Sequence, residues 1–203
     1  MLRTGMGAQA AERALVRALN EEPVPGGTAV LAAGFCAGLV DGLRPGDLVV
    51  ADETRDEAGA TECTGAALLA EALAPYGTVH RGTLAGSARI VRGAGRAALH
   101  EATGAVAADM ESAAVLRTAA GPPACPGAAR PESPKWPGLG GVGEELAPVP
   151  RRPVAAVRVV VDAPGHELIR VGTLRGGISA FRVLRGILPA FLEWHRSLLL
   201  PWR

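Results

Sequence analysis

Ala108-Asp109-Met110-Glu111-Ser112-Ala113-Ala114-Val115 sets two carboxylates and a thioether at the point where an alanine-rich helix begins. Upstream, Thr103-Gly104-Ala105-Val106-Ala107-Ala108 is a short apolar run after a turn-type glycine, the pattern of a strand that feeds the helix. An acid in a helix's first turn has a plain electrostatic explanation, because the positive end of the helix dipole favours negative charge there. Two acids are more than a plain core helix needs. Taken alone, the dipole and a ligand-binding role account for them about equally well.

Other apolar runs share the strand-then-turn pattern. Residues 29–33 (Ala-Val-Leu-Ala-Ala) read as a buried strand ending at Gly34, and their lack of alternation is that of a sheet covered on both faces. Leu48-Val49-Val50-Ala51 is the next strand, followed by Asp52 and Glu53 in solvated or capping roles. Thr78 to Leu84 forms another strand, with His80 on its surface, and Arg89-Ile90-Val91 follows. Arg89 is expected in a surface salt bridge. The run 154–161 is the clearest strand, β-branched and apolar with the single charge of Arg158, and Asp162 stands at its carboxyl end. Open α/β sheets bind ligands beyond the carboxyl ends of their strands, which places Gly34, its neighbours and Asp162 beside a pocket.

Helical spacing is legible over 8–20, where Leu15, Val16 and Leu19 recur, and over 66–74, which Gly77 ends. A last helix runs from Ser179, a capping residue, to about 200, with Phe181, Leu184, Ile187, Leu188, Phe191, Trp194 and Leu198 on its apolar face. Residues 118–150 break every pattern with repeated Pro and Gly, and are expected to be a disordered insertion outside the core. The final stretch from Trp194 to Arg203 mixes Trp, Leu and Arg as peripheral membrane segments do.

Composition bounds the rest. A chain of 203 residues that is 48% hydrophobic, with mean hydropathy +0.21, has enough apolar material to fill one domain spanning 1–203. A net charge of +1 gives no electrostatic reason to expect nucleic acid as a partner. Cys36, Cys63 and Cys125 have no metal-ligand spacing and cannot all pair, so a reducing cytoplasm is the simpler setting, and no metal or cofactor is called for. Cys36 reads as a small apolar filler because no base lies near it in sequence.

Asp109-Met110-Glu111-Ser112-Ala113-Ala114 resembles the Met-Glu signature of the nucleoside phosphorylase and nucleosidase superfamily. Thr4-Gly5-Met6-Gly7 resembles that family's early glycine loop, Gly34-Phe35-Cys36-Ala37-Gly38-Leu39 its central glycine turn, and residues 46–52 the strand that follows. Arg158-Val159-Val160-Val161-Asp162 resembles the strand ending in the catalytic Asp, with Val161 where the family usually has Ser. Within the superfamily the chain is most similar to the hopanoid-associated phosphorylases. The resemblance implies a three-layer α/β fold with a central, mostly parallel mixed sheet flanked by helices, here lacking the family's first strand. It also implies a homo-oligomer.

The resemblance further implies a reaction. Cleaving a purine N-glycosidic bond builds positive charge on the ribose and negative charge on the departing base, which must gain a proton. Asp162 is the general acid, given a pocket that favours its protonated form by desolvation. Glu111 accepts hydrogen bonds from the ribose hydroxyls and Met110 packs on the sugar, while Gly5, Gly7, Gly34 and Phe35 complete the substrate site. The best reading is release of adenine from adenosylhopane in hopanoid biosynthesis, at the cytoplasmic face of a membrane, with phosphate or water as acceptor. Two alternatives stand beside it: a methylthioadenosine/S-adenosylhomocysteine or futalosine nucleosidase, and a non-catalytic homologue that binds a nucleoside.

Overall fold

The computed structural model describes residues 2, 4, 7–23, 28–121, 152–166 and 173–199. In chain order the elements are α1 (Ala8–Asn20), β1 (Val30–Gly38), β2 (Leu48–Asp56), β3 (Gly59–Glu62), α2 (Ala66–Leu73), β4 (Val79–Gly86), α3 (Ala94–Thr103), β5 (Ala107–Asp109), α4 (Ser112–Ala120), β6 (Val154–Asp162), α5 (Thr173–Gly186) and α6 (Leu188–Leu199). A single 3-10 turn, Ala74–Tyr76, continues α2 up to Gly77.

Among the described residues six strands form one mixed sheet in the order β3-β2-β4-β5-β1-β6, and β6 pairs back onto β2, so the sheet closes on itself. The pairs β1–β6, β2–β4 and β4–β5 are parallel, while β1–β5, β2–β3 and β2–β6 are antiparallel. Helices flank it: α1 packs on α4, α2 on α6, and α5 on β6. The mixed, helix-flanked α/β sheet is the one the resemblance implied. Apolar residues with no exposure fill its centre, among them Leu48, Val49, Val50, Val157, Val159 and Val160. Each such burial contributes roughly 1.5–3 kcal/mol before chain entropy is counted. Closure is weakest at β5, which meets β1 only at Ala37 and Gly38. On that side the β1 edge from residue 31 to 36 has no strand partner among the described residues.

Several boundaries differ from the sequence reading. β1 does not end at Gly34 but runs on to Gly38, so the expected glycine turn is strand. β2 continues through Asp52 and Glu53 to Asp56. Arg89 to Val91 is irregular, and β3 and α3 were not anticipated at all. The long last helix is two: Ile187 separates α5 from α6, and Pro189 explains the break, because it has no N–H to donate and its ring collides with the carbonyl four residues back. Thr118 to Ala120, expected in the insertion, belong to α4, and the rest of the insertion, 122–150, lies outside the described residues.

Candidate active site

β5 delivers the chain to the Met-Glu turn, and the two acids there take different work. Asp109 is buried, and its Oδ2 accepts from the Ser112 hydroxyl at 2.7 Å and the Ser112 N–H at 3.1 Å. It therefore takes up the first backbone N–H of α4 from two residues before the N-cap, Glu111, whose own side chain makes no cap bond. Arg158 Nη2 meets the same Oδ2 at 2.5 Å, while Arg158 Nε and Nη2 donate to Ser112 Oγ at 2.8 and 2.6 Å. Asp109 is thus consumed in a buried network that fixes the turn. Glu111 is left for the cavity, where its Oε1 accepts the backbone N–H of Gly7 at 2.9 Å. Gly7 has φ +87°, a left-handed conformation that side chains resist, and this presents its N–H to Glu111.

Asp162 ends β6 and lies 3% exposed. Beside it stands a partner the sequence reading lacked: Arg96 of α3, with Nη2 at 2.5 Å from Asp162 Oδ2. Arg96 Nη1 also donates to the Gly38 carbonyl at 3.3 Å. Gly34, expected as a turn residue, serves a steric purpose instead. It pairs in register with Arg158, and a Cβ at that position would stand 2.1 Å from Arg158 Nη1.

Met110, Glu111, Asp162, Gly34 and Phe35 line one cavity of about 1230 Å³. Gly7 reaches it through its hydrogen bond to Glu111, and Gly5 lies outside the described residues. The cavity follows β1 from Val30 to Ala37, a strand length of roughly 23 Å. At the Asp162 end Ser87 and Arg89 add polar groups, and Arg89 makes no ion pair among the described residues, contrary to the surface salt bridge expected of it. Along its length Leu15 and Leu19 of α1 and Leu188, Phe191 and Leu192 of α6 make the wall apolar. Its volume exceeds the roughly 300–1,000 Å³ common for small-molecule pockets.

Cys36 also faces the cavity, and burial pushes its thiol well above the ordinary range, which suits the filler role and not a nucleophile. His80 Nε2 lies 2.9 Å from Asp47 Oδ2, away from the site. Asp52 pairs with Arg81 and Glu53 with Arg55, the solvated roles expected. Among the described residues no group of three or more His, Cys, Asp and Glu is arranged to hold a metal ion. Sequence reasoning missed Arg96 and the duty of Arg158. The left-handed Gly104 that ends α3 was the available signal for the helix that carries Arg96.

The family model for the phosphorylase superfamily matches residues 1–121. No curated protein sequence matches the chain. Among solved structures, S-adenosylhomocysteine nucleosidase from Streptococcus pyogenes, in complex with 5-methylthiotubericidin, is 19% identical over 98% of this chain and 78% of its own, with TM-score 0.66. The 5'-methylthioadenosine/S-adenosylhomocysteine nucleosidase from Neisseria meningitidis, in complex with methylthio-immucillin-A, is 17% identical over 94% and 78%, with TM-score 0.67. The corresponding nucleosidase from Streptococcus pneumoniae, with a transition-state inhibitor, is 18% identical over 94% and 78%, with TM-score 0.65. At these identities the likeness shows the fold. The family match covers more than half of the chain and includes the glycine loop, the β1 glycines and the Met-Glu turn, and on that ground the protein belongs to the phosphorylase superfamily, the nucleoside phosphorylases and nucleosidases.

Proposed function

We propose that the protein cleaves the N-glycosidic bond of an adenosine-like nucleoside that carries a bulky apolar group on its sugar. The observation that carries this reading is one cavity with Met110, Glu111 and Asp162 at the polar end and an apolar run along β1, α1 and α6 behind them. Glu111 accepts from the ribose hydroxyls and Met110 packs on the sugar, so the ring is held as the bond lengthens. Asp162 gives a proton to the base as the C–N bond breaks, the oxygen of water bonds to the ribosyl carbon, now cationic in character, and the proton that water sheds goes to solvent, from which the Asp162 carboxylate is reprotonated.

Water is the acceptor in this reading, in keeping with the name nucleosidase that the solved structures of this fold carry. The apolar length supports adenosylhopane as substrate, hence a place in hopanoid biosynthesis. Contact with a membrane from the cytoplasmic side belongs to the same reading: Leu188, Leu192 and Leu199 are 38%, 64% and 68% exposed on α6, beside exposed Arg185 and Arg196. Trp194, the start of the tail read as membrane-seeking, is instead buried and donates to the Gly65 carbonyl at 2.9 Å, and 200–203 lie outside the described residues. Among the described residues no helix is long and apolar enough to cross a membrane. Assembly as a homo-oligomer completes the proposal.

The second reading is a nucleosidase acting on methylthioadenosine or S-adenosylhomocysteine, favoured by the names of the solved structures the fold matches. Adenine release from adenosylhopane, methylthioadenosine, S-adenosylhomocysteine, futalosine and inosine, each with and without phosphate, tests both. Release without phosphate and best with adenosylhopane is the expected result. A preference for methylthioadenosine selects the second reading, and binding without release from any of them identifies a non-catalytic homologue.

A further inference from the structure

Asp162 faces the cavity, but the group that grips it does not. Arg96 is absent from the cavity wall and lies 3% exposed; it is the one buried residue of α3. Its Nη2 meets Asp162 Oδ2 at 2.5 Å, its Nη1 donates to the Gly38 carbonyl at 3.3 Å, and its Nε has no partner among the described residues. A guanidinium buried with one of its donors unmet is a poor fold staple, because apolar side chains of similar size fill such a place at no greater cost. The place itself differs from a generic core site, since Gly38 and Asp162 end the two parallel strands β1 and β6 at their carboxyl ends. The residue before Asp162 is Val161, which has no hydroxyl to steady the carboxyl.

We propose that Arg96 is the positioning residue of the site: by its fork on Asp162 Oδ2 and the Gly38 carbonyl it holds the Asp162 carboxyl in one orientation toward the base of a bound nucleoside. This rests on the reading of Asp162 as the base-facing group. Without Arg96 the Asp162 carboxyl loses this fork's hold on its orientation, and a small misplacement of a proton donor costs rate while leaving most of the substrate's contacts intact. Arg96 is not among the residues lining the cavity, so it acts on the site through the groups it holds, Asp162 first and the Gly38 carbonyl second.

The test compares the wild type with Arg96→Met, Arg96→Lys, Asp162→Asn and the double variant Arg96→Met/Asp162→Asn. The readouts are kcat and KM on whichever nucleoside the wild type cleaves best, adenine affinity by calorimetry, and the melting temperature. Arg96→Met is expected to lower kcat about 100-fold with KM within about threefold, since orientation at the reacting centre acts on the rate. Arg96→Lys should recover part of that loss, and the double variant should fall no lower than Asp162→Asn alone. Unchanged kcat in Arg96→Met, or losses that add in full in the double variant, would overturn the proposal. If Arg96→Met does not fold, Arg96→Lys decides alone: a reduced kcat at unchanged KM supports positioning, and a wild-type kcat overturns it. If the wild type cleaves nothing, the functional reading fails separately. Adenine affinity then decides, with equal and non-additive weakening by the two single substitutions supporting the coupling, and independent effects or no adenine binding at all refuting it.

Discussion

Gly34 and Arg158 stand opposite each other across the parallel β1–β6 pair, and the space a Cβ would need at Gly34 is filled by the Arg158 guanidinium, 2.1 Å away. That guanidinium is the cation for buried Asp109 and a double donor to Ser112. Gly34→Ala therefore cannot be absorbed by a harmless side-chain shift: moving Arg158 strips the Met-Glu turn of its anchor. The expected loss is about 2–4 kcal/mol, between the cost of overpacking and that of breaking a buried ion pair. Urea unfolding of Gly34→Ala checks it, and a loss below about 0.5 kcal/mol, the size of a neutral surface change, would refute the steric account.

The same network makes a paired prediction. Arg158→Met leaves Asp109 charged and buried beside a serine, a loss of about 3–5 kcal/mol. Adding Asp109→Leu removes the stranded charge, so the double variant should regain a large part of that stability while the bonds from Ser112 to Asp109 are still lost. Equilibrium unfolding of the three variants closes the cycle. If the double variant were less stable than Arg158→Met, the charge of Asp109 would not be what the arginine answers.

Glu111 and Gly7 separate binding from folding. Glu111→Gln keeps an Oε1 acceptor for the Gly7 N–H, so the melting temperature should stay close to that of the wild type. On the proposed reading a neutral amide loses the charge-assisted bonds to ribose hydroxyls, each stronger than a neutral one by roughly twofold, so kcat/KM should drop at least tenfold. Gly7→Ala acts the other way round. Its φ of +87° would cost an alanine about 1–2 kcal/mol, which loosens the loop and so the Glu111 contact.

What the sequence revealed and what it hid have physical causes. The bounds of α1 agree with its pattern because the apolar spacing and the glycine at its start report local physics. β6 was plain because a β-branched run with both faces covered has no other reading. β1 was cut short at Gly34 because glycine is a breaker locally, and only a residue far along the chain, Arg158, reveals why it is there. Helix α3 escaped because its inward side is carried by Arg96 and not by an apolar stripe. The apolar spacing ran through Ile187 without interruption, so the break before Pro189 was hidden by the pattern that made the helix visible. Met110, Glu111 and Asp162 could be named together from motifs, whereas the two arginines that hold Asp109 and Asp162 follow from tertiary contact alone.

The two described cysteines give a pH dependence with a definite sign. Cys36 and Cys63 are free and buried. Burial pushes Cys63 up to about 12 from the ordinary 9.0 and raises Cys36 further. Below pH 9 both thiols are protonated whether the chain is folded or not, and they add no pH dependence. Above it the unfolded chain gives up protons that the folded chain keeps, so stability falls as pH rises, by about 1.4 kcal/mol per pH unit for each thiol. The window closes near pH 12 for Cys63, where the folded thiol ionises as well. Unfolding midpoints in urea at pH 8, 9.5 and 10.5 should therefore decline more steeply for the wild type than for Cys36→Ala/Cys63→Ala. The two buried thiols should also react with a thiol reagent at pH 8 only on the timescale of unfolding, since the thiolate is the reactive form. Parallel decline in both proteins, or prompt labelling of Cys36, would show that the cavity opens to solvent far more than its walls suggest.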